Sequence, residues 1–124
     1  MRAPPEGASD AVVHLVAGLT DVAPAYLHDS GMLGGLLIAA AGAAGLHATS
    51  APLLRTHGIR GVDGLLMVDG GHAAVHAHAG RRMLLVDIIA AEPADLVKAL
   101  DVFTRRLMPG GVTLERLLRL SAGT

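Results

Sequence analysis

Three histidines within seven residues, His72, His76 and His78 in the run HAAVHAH, are the first places where this chain could do chemistry. Alternate residues of a β-strand share a face, so on a strand all three imidazoles point the same way. Positions i and i+2 stand roughly 6.5–7 Å apart, near enough for two rings to converge on one ion. A strand His-x-His with one further nitrogen or carboxylate is a recurrent zinc arrangement that leaves a position open for substrate. His14 and His57 are the candidates to complete or flank such a site. Asp63, Asp69 and Asp87 bracket it as base, metal ligand or hydrogen-bond partner. The alternatives are a solvated histidine face and a structural network, because each imidazole buried without a partner costs about 1–3 kcal/mol. Arg81-Arg82 could grip a carboxylate through paired hydrogen bonds.

Composition narrows the chemistry further. The 124 residues include no cysteine, no tryptophan, one tyrosine, one phenylalanine and seven histidines. Disulfides, thiolate nucleophiles, iron–sulfur clusters and cysteine zinc fingers are thereby excluded. The single lysine, Lys98, is the one residue that could hold pyridoxal phosphate as a Schiff base. Two aromatic rings cannot build a stacking platform for single strands, and a net charge of −1 offers no basic field to nucleic acid or anionic lipid. The most apolar run, residues 31–46 (GMLGGLLIAAAGAAGL), has 16 residues, five of them glycine. That falls short of the roughly 20 a bilayer-crossing helix needs, so a buried helix is expected instead. The first ten residues (MRAPPEGASD) contain no apolar stretch, and the cytoplasm is the expected compartment.

The elements that must position the histidines follow from periodicity and punctuation. Residues 1–10, with Pro4, Pro5 and Gly7, read as a loose arm, and residues 11–120 as one domain. Strands are expected over 11–19, 47–56 (at an edge, because of Pro52), 65–69, 72–78 and 82–90. Gly70-Gly71 suggests a tight hairpin between the third and fourth. The first helix takes Asp29 or Ser30 as cap and Gly45 as stop. The second runs from Pro93 to about Met108, with Leu96, Leu100, Phe103 and Leu107 on one side. Residues 112–120 fit strand and helix equally. The sum is an α+β fold: a two-layer sandwich of mostly antiparallel sheet with two helices on one face.

Taken in order, His14-Leu15-Val16-Ala17, Gly61-Val62-Asp63-Gly64-Leu65-Leu66-Met67-Val68, His72-Ala73-Ala74-Val75-His76 and Leu85-Val86-Asp87-Ile88 resemble the prokaryotic S-adenosylmethionine decarboxylase family, over about residues 11–118. The resemblance implies an α/β sandwich, usually dimeric, that cleaves itself at a Glu-Ser bond to make a pyruvoyl group, the electron sink for decarboxylation. At that place the chain has Gly70-Gly71-His72, so it has no serine from which to form a pyruvoyl group. His76 matches the family's processing histidine. The family's proton-donating cysteine falls near Ala91, its Trp-Pro-Glu becomes His78-Ala79-Gly80, its serine before the third strand becomes Asp63, and its adenine-stacking aromatic aligns near His57.

Losing serine and cysteine while gaining His78 and Asp63 points to a changed activity. The expected function is a carbon–sulfur lyase acting on S-adenosylmethionine without a pyruvoyl group or pyridoxal phosphate, similar to a divergent branch of that family. A Zn²⁺ ion held by His72, His76, His78 and His14 would assist γ-cyclisation to 1-aminocyclopropane-1-carboxylate and methylthioadenosine. His76, Asp63 and Asp69 would supply the catalytic groups, and His57, Asp63, Gly70, Gly71 and Arg82 the substrate contacts. The expected partners are S-adenosylmethionine and a second copy of the chain, with no nucleic acid and no membrane. The alternatives are a catalytically dead subunit that regulates a decarboxylase and a non-catalytic histidine-rich metal-binding domain.

Overall fold

Alternation of buried and exposed residues along the strands sets the architecture. In the computed structural model, which describes residues 11–91 and 93–120, β1 (Val12–Thr20) buries Val13, Leu15, Ala17 and Leu19 and turns His14 and Val16 to the opposite side. The strands β2 (Leu53–Thr56), β3 (Val62–Val68), β4 (Gly71–His78), β5 (Met83–Ala91) and β6 (Gly111–Leu120) join it in one six-stranded sheet of order β2-β3-β4-β5-β1-β6. Every pairing is antiparallel. The buried side carries Val62, Leu66 and Val68 from β3, Ala73, Val75 and Ala77 from β4, and Leu84, Val86, Ile88 and Ala90 from β5.

Against that side lie two helices. A single turn, α1 (Pro24–Leu27), leads into α2 (Ser30–Ala43), which begins where the Asp29 carboxylate accepts a 2.9 Å hydrogen bond from the Met32 amide. Leu33, Leu36, Leu37, Ala40 and Ala41 of α2 are buried. Gly64 on β3 is what lets α2 come so near, since a Cβ there would stand 2.9 Å from Leu37 Cδ1. The other helix, α3 (Leu96–Leu107), is capped by the Asp95 carboxylate on the Lys98 amide and ends at Met108, in left-handed conformation, just before Pro109. Its stripe of Leu96, Leu100, Phe103 and Leu107 is buried, as the spacing predicts.

The α+β class, the antiparallel sheet and the two helices agree with the sequence reading. Several boundaries differ: the third strand, expected over 65–69, spans Val62–Val68, and the second helix begins at Leu96 and not at Pro93. The second strand is shorter than 47–56: only Leu53–Thr56 pair with β3, after Pro52, with Ala48 making an isolated bridge to Val68. The hairpin loop is Asp69-Gly70, because Val68 pairs with Gly71 and the latter already belongs to β4. Residues 111–120 form a strand, settled by pairing with β1 and not by their own periodicity. The expected arm, residues 1–10, lies outside the described residues. Among the described residues no helix is long and apolar enough to cross a membrane, and the 31–46 run is mostly α2.

Phe103 is fully buried between sheet and helices. Phe103→Ala is expected to cost about 3–5 kcal/mol, read as a lower midpoint in denaturant unfolding with an unchanged slope.

Candidate active site

Helices cover one side of the sheet, so the residues left on the other side form an open face whose neighbours are read from the strand register. One row across that face runs Arg55, Asp63, His76 and Leu85. A second runs Leu53, Leu65, Ala74, Asp87, Val16 and Glu115, and a third Met67, His72, Ile89 and His14. The pleat therefore does turn His72, His76 and His78 to one side, while Ala73, Val75 and Ala77 between them are buried.

Two aspartates take His76 and His72 to different partners, each with one further histidine. Asp63 accepts a hydrogen bond from His76 Nδ1 at 2.9 Å on one carboxylate oxygen and from His57 Nε2 on the other. His57 is brought over Asp63 by a short turn, Gly58–Arg60, which its own amide closes by donating to the Gly61 carbonyl. Two strands away, Asp87 bonds His14 Nε2 on one oxygen and stands 3.6 Å from His72 Nε2 on the other. Partial burial alone would push the Asp63 carboxyl up. The hydrogen bonds from His76 and His57, with the charge of those rings, outweigh it and hold the group below the ordinary carboxylate range. An ionised carboxylate can only accept, so His76 Nδ1 carries the hydrogen, and in the neutral ring Nε2 is left with the lone pair of a base. Asp63 and His76 line a cleft of about 390 Å³ with Arg55, Leu53, Gly64, Leu65 and Ala74.

His76, Asp63 and His57 thus meet as the sequence suggests. Other expected members do not join them. His14 and His72 turn to Asp87, and His78 lines a separate depression with Arg60, Gly80 and Arg81. The expected zinc set of His72, His76, His78 and His14 is therefore split by its carboxylate partners. Among the described residues no group of three or more His, Cys, Asp or Glu is placed to hold a metal ion. Asp69 sits in the β3–β4 loop, six residues and so about 20 Å along the strand from Asp63, with its amide donating to the His47 carbonyl. Gly70 and Gly71 are at that same far end. Arg82 is exposed in left-handed conformation before β5 and lies outside the lining of the cleft. Lys98 belongs to α3, on the covered side of the sheet.

Asp87, which the sequence offers as a hydrogen-bond partner of the cluster, is the centre of the second histidine pair. Arg55, to which the sequence gives no weight, shares the cleft with Asp63 and His76. The signal for Arg55 was its two-residue spacing from Leu53 on an edge strand, which says nothing of its cross-strand neighbour.

Comparison with known proteins settles the family. The family model for S-adenosylmethionine decarboxylase matches residues 13–120, most of the chain. The chain belongs to the S-adenosylmethionine decarboxylase family. Its fold is also similar to the crystal structure of the adenosylmethionine decarboxylase from Aquifex aeolicus VF5, with a TM-score of 0.80 and 20% identity over 90% of this chain and 92% of that one. No curated protein matches it.

Within the S-adenosylmethionine decarboxylase family pattern, the resemblance places the self-cleaving serine at Gly71. A Cβ on Gly71 would stand 1.8 Å from the Ile89 carbonyl oxygen and 2.7 Å from its carbon. Backbone, not a movable side chain, fills the space. Gly71→Ser is therefore expected to lower the melting temperature through overpacking of about 1–3 kcal/mol and to yield only uncleaved chain on mass spectrometry.

A carboxyl held below its unfolded value adds stability that is complete above that value, about 3.9 for aspartate, and is lost as pH falls through the folded one. Asp63→Asn is expected to lower the melting temperature at pH 7 and to flatten its decline as pH falls below about 4, measured by thermal unfolding across a pH series.

Proposed function

We propose that the chain is an S-adenosylmethionine-dependent carbon–sulfur lyase that works without a pyruvoyl group. The observation that carries this reading is the Asp63–His76 pair: an ionised carboxylate fixing one imidazole nitrogen at 2.9 Å and leaving the other as a base in a cleft with apolar walls. In the proposed reaction His76 Nε2 takes the α-proton of the substrate. The electron pair of that C–H bond forms the Cα–Cγ bond as the Cγ–S bond breaks, and its electrons return to sulfur. The sulfonium becomes a neutral thioether, so the products are 1-aminocyclopropane-1-carboxylate and methylthioadenosine. Proton removal and ring closure in one step avoid a free carbanion, for which the chain offers no electron sink. Since the four histidines do not share one ligand set, no step is routed through zinc.

Asp63 acts here as a positioning residue, because it holds the ring orientation and stabilises the imidazolium that forms. His57 completes the carboxylate's hydrogen bonds and sits where the resemblance puts an adenine-stacking ring. The exposed apolar residues Val16, Met67 and Leu85 on the open face support the expected pairing of two copies. The second reading, a catalytically dead decarboxylase-like subunit, is favoured by one observation, the closed backbone at Gly71.

Purified chain incubated with α-deuterated S-adenosylmethionine is expected to yield methylthioadenosine and a cyclopropane amino acid that has lost the label, both read by mass spectrometry. His76→Ala is expected to lower the rate by about 10²–10⁴-fold. Absence of both products, together with co-purification of an active decarboxylase, would replace the lyase reading with the regulatory one.

A further inference from the structure

The cleft contains a cation that the proton transfer leaves unused. Arg55 lies on the edge strand β2, directly opposite Asp63 in the β2–β3 register, and lines the same cleft as Asp63 and His76. It makes no ion pair with Asp63, whose two oxygens are already engaged by His57 and His76. Among the described residues its guanidinium has no carboxylate partner at all. Besides Asp63 and His76, the residues that line the cleft with it are Leu53, Gly64, Leu65 and Ala74, whose side chains offer it nothing polar. An unpaired, permanently charged fork beside a base and an apolar wall suits a ligand that carries its own carboxylate.

We infer that Arg55 binds the α-carboxylate of the substrate and thereby selects a reaction that keeps it. The inference rests on the lyase reading above and deepens it. The α-carbon lies one bond from the carboxylate, so a carboxylate on Arg55 keeps the α-carbon within the cleft that His76 also lines. The choice of reaction follows from charge. Loss of carbon dioxide requires the carboxylate to give up its negative charge to carbon. An ion pair stabilises the charged ground state more than that transition state and so raises the barrier. Cyclisation leaves the carboxylate untouched, and the same ion pair then acts equally on ground and transition states, as binding energy. Arg55 is accordingly a specificity-determining residue whose loss weakens binding more than it slows turnover.

The test uses two ligands that cannot react by this route, S-adenosylhomocysteine and the same molecule without its carboxylate, titrated calorimetrically into the full chain. The wild-type chain is expected to bind the carboxylate form about 10- to 100-fold more tightly. Arg55→Gln is expected to abolish that difference while leaving affinity for the decarboxylated ligand unchanged, which also reports that the variant is folded. With S-adenosylmethionine as substrate it should raise KM by a similar factor with a smaller change in kcat. Equal wild-type affinities, equal loss of both ligands in Arg55→Gln, or loss of the preference in Arg81→Ala instead would overturn the role of Arg55 and leave the lyase reading standing. If the wild-type chain binds neither ligand, the S-adenosylmethionine reading falls, and this inference with it.

Discussion

Helices cover only one side of this six-stranded sheet, and nearly every other property follows from that asymmetry. Each strand must send alternate residues into the apolar layer under α2 and α3, which leaves the intervening residues facing away. Whatever polar chemistry the chain possesses is therefore gathered on one surface by the pleat itself. The covered side is apolar throughout, with no buried polar or charged residue among those described. The open side carries two aspartates and the four histidines that contact them, together with His78 and Arg55. No loop has to be ordered to assemble most of this set, because neighbouring strands in fixed register hold it; only His57 comes from a turn.

The two carboxylates then decide what the histidines can be. A row of imidazoles with no acid nearby is a plausible set of metal ligands. With Asp63 and Asp87 interleaved, His57 and His76 share one carboxylate, His14 and His72 the other, and His78 stands apart. Within the first group the aspartate does for His76 what a positioning carboxylate does in many hydrolases: it selects the tautomer, and with it the nitrogen that can accept a proton. The position where the resemblance places the pyruvoyl-forming serine is closed by backbone at Gly71.

Much of the fold could be read from residue order alone. The alternation along 72–78 placed His72, His76 and His78 on one face, and the stripe through Leu96, Leu100, Phe103 and Leu107 identified the buried side of α3, because both depend only on local periodicity. Asp63 and His76 are each legible as candidates through the family pattern, but not as a hydrogen-bonded pair. What could not be read was pairing across strands. Nothing in the spacing of residues 14, 72 and 87 says that Asp87 draws off His14 and His72, and nothing near residue 55 says that it faces Asp63. Asp69 stands apart from Asp63 and His76 for the complementary reason. It is adjacent in sequence to the histidine strand, yet the hairpin places it at the far end of the strand from the base.

The short second strand has a consequence for how such a site could work. β2 contributes four residues, pairs on one side only, and keeps little of its surface buried. Segments of this kind open locally at a small fraction of the free energy needed to unfold the whole domain. Asp63 and His76, by contrast, sit on strands flanked on both sides. The cleft thus has one stiff wall carrying His76 and one compliant wall carrying Arg55. Local opening can be borne by the outer strand, while the Asp63–His76 hydrogen bond stays anchored in the interior of the sheet.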